Sequence, residues 1–535
     1  MDTDVLIVGA GPTGLMLAEE LARFGVRFRI VDSGRGPTDL SKAIGVQART
    51  LETLDILGLA DELIRCGNQA KSFNVYDGAK PILHLDFTGL DTRFPYLLVV
   101  PQSETERILL DRLGEDQQVE RSTTLTEFKQ DETGVNATLR CAAGELDQVR
   151  ARWLVGCDGA HSAIRQGLGL PFEGAEYEEG FMLADVRAEW DRPSDELYLF
   201  LHEGWLLAFF ALPENRYRIV ADLPPEQAPR DKPPTLEECQ RLVNERSPFP
   251  VTLSDPAWTA DYRIHRRIVP RLQEGRVFLA GDAAHIHSPA AAQGMNTGLQ
   301  DAFNLAWKLA LTAHGHASDR LLESYNAERY PVEKGVLKGA DLLLNIASLR
   351  PPTLRKLRDL VLPLVSATKA FQDRVSTTIG ELAIDYHDSP IVVDRDSSSR
   401  PRAGERAPGA RVTRESGEPM RLYELLRDGK FVLLAFPEAE EQGGDFLQQV
   451  AASLAPIRSQ IVPCVLTIKE TKPANMPADW TCLHDAQGDA VAAYGVKHAC
   501  VRVIRPDGYI GFRSNAHALE SGLKEFIEAN FGTQR

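Results

Sequence analysis

Residues 4–32, DVLIVGAGPTGLMLAEELARFGVRFRIVD, leave few folds open to this chain. An apolar strand enters a turn containing Gly9, Gly11 and Gly14, a helical pattern follows, and a second apolar strand ends in Asp32. In such a turn the first glycine allows a tight bend, the second lets backbone approach a pyrophosphate, and the third permits close helix–strand packing. The helix N-terminus stabilises phosphate charge, and Asp32 can accept hydrogen bonds from ribose hydroxyls. A GxGxxG is weak evidence alone. Here the preceding strand, the following helix and the acid about 20 residues on supply its context. The stretch predicts a βαβ unit that binds a dinucleotide, either NAD or FAD.

Two more apolar strands end in an acid. RWLVGCDGAHSAIR (152–165) reaches Asp158 and His161. In GRVFLAGDAAHIHSPAAAQGMNTGLQDAFNLAWKLAL (275–311), Val277 to Ala280 run into Gly281-Asp282, and a small-residue loop leads to a long amphipathic helix that starts near Gly294-Met295-Asn296. There is one glycine fingerprint, so a nicotinamide and a flavin would not each have a Rossmann domain.

At 535 residues the chain is long enough for three domains, taking roughly 150 residues for each. The segment DRDSSSRPRAGERAPGAR (394–411) reads as a linker between the main body and a C-terminal unit. Within the main body, 196–223 reads as three short strands with turns at HEG and PEN, an antiparallel insert suited to walling a substrate cavity. Its Phe200, Trp205, Phe209 and Phe210 alternate as core residues do, with one or two available to line a pocket. From 296 to about 385 the pattern is helical, with breaks at Pro331 and Pro351-Pro352. The C-terminal unit offers strand KFVLLAF, helix GGDFLQQVAASLA, strand QIVPCVLTI, a hairpin turning at Pro506-Asp507-Gly508, and a last helix. That order resembles a thioredoxin-like fold, but PEAEEQGGDF stands where a redox dithiol would be.

The net charge of −16 argues against nucleic acid and anionic lipid as partners. No apolar run approaches the length of about 18 residues needed to cross a membrane, and MDTD passes into a strand without a leader pattern. Seven cysteines without a CxxC pair fit a reduced cytoplasm.

The three junctions, in order, resemble the signatures of single-component (class A) flavoprotein aromatic hydroxylases, in the phenol hydroxylase, pentachlorophenol hydroxylase and polyketide hydroxylase branch. The likeness spans nearly the whole chain. It implies an α/β architecture: a Rossmann-like FAD domain of the GR2 type (1–74, 98–172 and 266–395), an inserted, mostly antiparallel substrate domain (75–97 and 173–265), a helical segment, and a thioredoxin-like domain (412–535). It implies FAD as cofactor, NADPH or NADH and O2 as co-substrates, a small aromatic substrate hydroxylated through a C4a-hydroperoxyflavin, and a homodimer as an option.

By the same resemblance the cofactor contacts are Gly9, Gly11, Gly14, Asp32, Lys42, Gln102 (in PQSETERIL), Asp282, Pro289, Gly294, Met295 and Asn296, with Asp158 and His161 in the motif associated with both FAD and NADPH contact. Asp282 would meet the ribityl or phosphate side, Pro289 would lie against the isoalloxazine, and the amides of 294–296 would face flavin N1 and the C2 carbonyl. A helix N-terminus suits the anionic reduced flavin. Two departures stand out. Ala290-Ala291-Ala292 replace the family's glycines, and Ile44, in AIGVQARTLE, stands where phenol hydroxylase has a carboxylate. Tyr262 and Arg263, with His265 beside them, are then the candidates for promoting ionisation of a phenol. His265, His285 and His287 lack the spacing of a known metal site, so no metal is expected. The competing readings are a flavin dehydrogenase or reductase that inserts no oxygen, and a flavin-binding scaffold without turnover.

Overall fold

In the computed structural model, the described residues form three large sheets and a small three-stranded one, Gly45–Val46, Leu97–Val99 and Asn68–Ala70. The structure describes all residues except 38–42, 115–116, 228–231, 287–292, 319, 348, 350, 397–399, 438–442, 469–471, 474–475 and 533–535, and the side chains of 177–179, 264, 339–347 and 443–444.

The first sheet is the nucleotide-binding one. Strand Thr3–Val8 lies between Phe28–Val31 and Leu146–Gly156, parallel to both, and Leu146–Gly156 pairs in parallel with Val277–Leu279. Val5–Val8, Trp153–Gly156 and Val277–Leu279 are buried, which is why those stretches read as short apolar runs. Helices Pro12–Arg23 and Gly294–Ala313 pack against each other beside the sheet. All three acid-tipped junctions therefore leave the same C-terminal edge, where ligands bind in open α/β sheets.

The second sheet has eight strands. Its order is His285–Ile286, Thr252–Ile268, Glu173–Glu189, Arg216–Leu223, Trp205–Leu212, Glu196–His202, Ser72–Asp77 and Lys80–Asp86. The three strands expected in 196–223 are all present. Alternation gives the sheet two different faces. On one, Met182, Ala184, Phe200, Leu207, Phe209, Ile219 and Ala221 are buried with Cys239 and Val243 of helix Leu236–Arg246, whose start is closed by a Thr235–Glu238 capping box. On the other, Leu199, Phe210, Val220 and Tyr262 are only partly buried, although they sit in the middle of the sheet. That face looks toward Leu362 of helix Pro352–Ser366 and, around Phe210, toward Ile44, Leu97 and Phe371.

The third sheet runs Val393–Arg395, Ile510–Asn515, Cys500–Ile504, Phe431–Phe436, Ile461–Thr467, Thr481–His484, Arg411–Arg414 and Pro419–Arg421. Phe431 and Phe526 of this unit share one apolar cluster with Trp307 and Leu311 of the Gly294–Ala313 helix.

Two expectations need correction. The 394–411 stretch is not a free linker. Val393–Arg395 is a sheet strand, Ala403 and Ala407 are buried, Asp394 and Asp396 bind Arg513 and Arg502, and Arg406 reaches Glu52 at 2.7 Å. Its turn-forming composition hides charges that pair across the units. Pro331 likewise breaks nothing, since helix Arg320–Ala347 runs through it. Glu328, Arg329 and Glu333, all buried on that helix, lie against charged partners on other elements on both sides of the proline. Pro351 does mark a boundary, as N-cap of helix Pro352–Ser366.

Candidate cofactor and active site

The three junctions meet around Thr13. A Cβ on Gly281 or on Gly298 would lie 2.5 Å from the Thr13 hydroxyl oxygen. One on Gly9 (φ +103°) would lie 2.2 Å from the Cys157 carbonyl oxygen, and one on Gly14 would lie 1.9 Å from that of Gly9. Gly11 differs: a Cβ there meets nothing within 4 Å. Two of the fingerprint glycines are thus demanded by the protein's own packing, while the third borders open space.

Asp32 closes the turn. Its Oδ2 accepts from the Ala10 amide and its Oδ1 from the Gly34 amide, each at 2.7 Å, and Arg121 lies 3.5 Å away. Asp158 caps helix Ala163–Gly167, accepting from the amides of Ala163 at 2.8 Å and Ile164 at 3.3 Å. Burial pushes its carboxyl up, against hydrogen bonds from Ser162 and backbone that pull it down. Its Oδ1 is buried without a partner. His161, beside it, is exposed. Asp282 is exposed between buried Gly281 and Ala283, at the mouth of its strand.

At the Gly294–Ala313 helix the N-cap residue Gln293 makes no side-chain cap hydrogen bond, and Gly294 and Met295 are half-buried. The Asn296 side chain is occupied elsewhere, accepting from the Gln47 amide and donating to the Gly45 carbonyl, both at 2.9 Å. Gln102 is similarly committed: its Oε1 accepts from the Ala43 amide at 3.1 Å and its Nε2 donates to Glu106. These two side chains anchor the segment that carries Ile44. Lys42 and Pro289 lie outside the described residues, as do His287 and Ala290-Ala291-Ala292.

Behind Gly281 lies a fully buried charge cluster. Asp301 accepts from the Gly281 amide at 3.0 Å, from Arg329 at 2.7 Å and from His285 at 2.7 Å, with Glu333 3.4 Å from His285. Among the described residues, His285, Asp301 and Glu333 are the group whose ligand atoms could surround a cation. Arg329 adds a further cation to the cluster, and burial pushes the Glu333 carboxyl up toward its neutral form. Glu333 and Asp301 push His285 up to about 9 against the opposing effect of its burial.

The structure separates the two catalytic candidates. Tyr262 packs on Phe181 on the partly open face of the second sheet, where burial raises its phenol further from ionisation. Arg263 falls on the other side of the strand, is exposed, and reaches Glu176 at 3.5 Å and the Pro225 carbonyl at 3.3 Å. His265 is half-buried, with Nδ1 unpartnered.

Comparison with known proteins decides the family. A family model described as an FAD binding domain matches residues 2–340, and one described as the C-terminal domain of aromatic-ring hydroxylases matches 400–533. The chain belongs to the FAD-dependent aromatic-ring hydroxylases. It is 31% identical to pentachlorophenol 4-monooxygenase of Sphingobium chlorophenolicum, over 96% of this chain and 94% of that one. It is 34% identical to 6-methylpretetramide 4-monooxygenase of Streptomyces rimosus, over 97% and 93%. Among solved structures, an anhydrotetracycline hydroxylase from Streptomyces rimosus superposes with a TM-score of 0.79 at 30% identity, over 99% of each chain. In this hydroxylase the residues fit FAD: a helix start without an N-cap side-chain hydrogen bond, an orphaned buried carboxylate oxygen and a glycine bordering open space all face the junction edge.

Sequence reasoning missed three groups. Thr13 gave no signal beyond its place in the fingerprint. The Asp301 cluster was legible only as charges in an apolar helix. On the partly open face of the second sheet, Asp185 and Arg218 form a buried ion pair, Arg218 Nη2 lying 2.7 Å from Asp185 Oδ2. Charges inside the strands FMLADVRAE and RYRIVADL were the available sign.

Proposed function

We propose that this hydroxylase is an NAD(P)H-dependent monooxygenase acting on an acidic phenolic or polycyclic aromatic ring. One observation carries the reading. The edge where the three junctions meet adjoins a sheet face whose central residues, Leu199, Phe210, Val220 and Tyr262, are apolar or aromatic yet incompletely covered. A flat apolar wall beside a flavin site suits an aromatic ring. The named relatives act on a chlorinated phenol and on a polycyclic compound, which supports the same class.

Bound FAD supplies the redox chemistry, accepting electrons from a nicotinamide and delivering one oxygen atom of O2 to the ring. The protein's residues bind and orient. Gly11 leaves room for pyrophosphate, Asp32 and Asp158 accept from ribose hydroxyls, and Asp282 holds the ribityl side. The amides of Gly294, Met295 and Asn296 stabilise negative charge on the ring system at the helix start. Lys42, Gln102, His161 and Pro289 complete the proposed contacts, Gln102 by holding Ala43 in place. Leu199, Phe210 and Val220 exclude water from the reacting ring.

The same reading keeps the unit boundaries given by resemblance and a thioredoxin-like C-terminal domain without redox function. The strand–helix–strand order followed by a hairpin and closing helix supports it. No helix among the described residues is long and apolar enough to cross a membrane; the cytoplasmic location remains part of the proposal. The test is oxygen-18 incorporation. Product phenols carrying label from O2, with NADPH consumed in step, support the monooxygenase. Reduction of an acceptor without label would return it to a dehydrogenase or reductase.

A further inference from the structure

We propose that helix Pro352–Ser366 is a membrane-docking element, which seats its outer face in a bilayer that carries anionic headgroups. Docking goes beyond the monooxygenase reading and does not need it. Only its use, the uptake of a lipophilic aromatic from the bilayer, rests on that reading.

The helix turns its polar side inward. Arg358 and Ser366 are buried, Arg355, Asp359 and Leu362 are half-buried, and Arg358 binds Asp77 and Asp359 at 2.6 and 2.8 Å. Lys80, on the strand against which the helix packs, donates to the Asp359 carbonyl at 3.0 Å. Leu354, Leu357, Leu360, Val361, Leu364 and Val365 face the other way, Leu360 being 64% exposed and Leu364 70%. These six make up two-thirds of the large apolar side chains exposed among the described residues, so the exposure is concentrated in one place. At about 100° per residue they fall within an arc of about 140°, a continuous stripe along the helix. The stripe presents roughly 500 Å² of apolar surface, at the upper end of what a monomer leaves open.

Charge and area together identify the occupant. The exposed charges on this helix and on the next, Lys369–Ile379, which packs beside it, are Lys356, Lys369 and Arg374 against one acid, Asp373. None of the three cations has an ion pair among the described residues. An apolar stripe with basic neighbours is the pattern of helices that lie in the interfacial plane of a bilayer. In a symmetric pair the same surface meets itself, so the cations would confront their own copies with only Asp373 to offset them. Two copies joined by this stripe alone would bury roughly 1,000 Å², below the about 1,200–2,000 Å² of stable interfaces. The chain's charge of −16 opposes a lipid surface at long range. Physiological salt confines such fields to about 8 Å, so the local balance decides at contact.

On the inner side, Leu362 packs against the cluster that holds Phe181 and Tyr262, on the partly open face of the second sheet. One helix therefore separates the docked bilayer from the wall proposed to hold the aromatic ring. A ring dissolved in lipid reaches that wall without passing through bulk water.

The experiment sediments the FAD-loaded protein with phosphatidylcholine vesicles, with and without phosphatidylglycerol, and measures its mass in solution without lipid. Wild type should bind the anionic vesicles more tightly than the neutral ones, and high salt should remove that preference. Leu360→Gln combined with Leu364→Gln should weaken vesicle binding at least tenfold, with melting temperature and FAD content unchanged. Lys356→Glu combined with Lys369→Glu should lose the preference for anionic lipid alone. Wild type that stays in the supernatant with both kinds of vesicle overturns the proposal. If that protein also dimerises through Leu360 and Leu364, the stripe belongs to a second copy. A double glutamine variant that binds vesicles as wild type does overturns the proposal as well. Vesicle binding as expected in a protein that inserts no labelled oxygen into phenols leaves the docking intact and removes only its use.

Discussion

Asp507, at the tip of the C-terminal hairpin, accepts the indole N–H of Trp307 at 3.1 Å, midway along the helix whose first turn carries Gly294, Met295 and Asn296. Arg505, beside it, binds Glu328 through two bonds of 2.7 and 2.9 Å, and Glu328 binds Lys308 at 2.8 Å on the same helix. The C-terminal unit thus braces the helix that is proposed to face the flavin. Removing one member strands the rest in a dry interior, at a cost of about 3–5 kcal/mol. Asp507→Ala should lower the urea midpoint accordingly and reduce FAD content as well. Unchanged FAD affinity in a destabilised variant would confine the brace to stability.

The fingerprint glycines should divide into two classes. Gly14→Ala must push Cβ into the Gly9 carbonyl, so it should lower the melting temperature even of FAD-stripped protein and abolish FAD binding. Gly11→Ala meets open space, so the stripped protein should melt as wild type does while FAD binds at least tenfold more weakly. Thermal melts with and without FAD decide this, and identical behaviour of the two variants would contradict it.

Asp282 is exposed at the mouth of its strand, so Asp282→Ala should change the stripped protein's melt little. The purified variant should nevertheless be nearly colourless where wild type is yellow with one FAD per chain. A variant with full flavin content would remove Asp282 from the cofactor site.

Stability should fall as pH rises through neutrality. Glu381 is buried, with its Oε2 accepting from Gln300 at 2.5 Å, and burial lifts its carboxyl from 4.5 to about 8. Because the folded value lies above the unfolded one, the protonated carboxyl favours the fold fully below 4.5, and that contribution is lost as pH climbs to about 8. The window is worth on the order of 3–5 kcal/mol. Glu381→Gln keeps the shape without the proton, so its melting temperature should drop less between about pH 5 and about pH 9 than that of wild type. Equal drops would place the titration in other groups.

The thiols should be mostly silent. Cys157, Cys239, Cys464, Cys482 and Cys500 are buried, while Cys66 and Cys141 are half-buried. Burial pushes Cys464 up to about 12 and Cys500 to about 11. An aromatic disulfide reagent should titrate at most Cys66 and Cys141 in native protein and all seven thiols after unfolding. Rapid reaction of Cys464, Cys482 or Cys500 in the folded state would reopen a redox role for the C-terminal unit.

What the sequence revealed and what it hid differ in kind. The strand-turn-helix at Gly9, the strands of 196–223 and the hairpin at Asp507 were legible because local periodicity and turn chemistry specify them. The meeting of Gly281 and Gly298 on Thr13 was not, because it depends on which strands are neighbours. The same holds for Asp185 and Arg218, which are far apart in sequence and paired across two strands. Gln102 and the backbone amide of Asn296 read as cofactor contacts, with no sign in the sequence that the side chains of both residues hold the Ile44 segment in place. Ile44 itself is buried among Leu97, Val99 and Leu212, an apolar setting in which an acid would be an unpaired charge.

The brace at Asp507 also sets an order of events during synthesis. The ribosome completes the Gly294–Ala313 helix nearly two hundred residues before it reaches Arg505. Until then Lys308 and Glu328 have each other but lack the hairpin's arginine and carboxylate, and Trp307 has no apolar cover from Phe431 and Phe526. Only the end of the chain closes that interior. A chain truncated before the hairpin can therefore form the glycine turn but leaves the Gly294–Ala313 helix without this closure, and it should hold less FAD than the full chain.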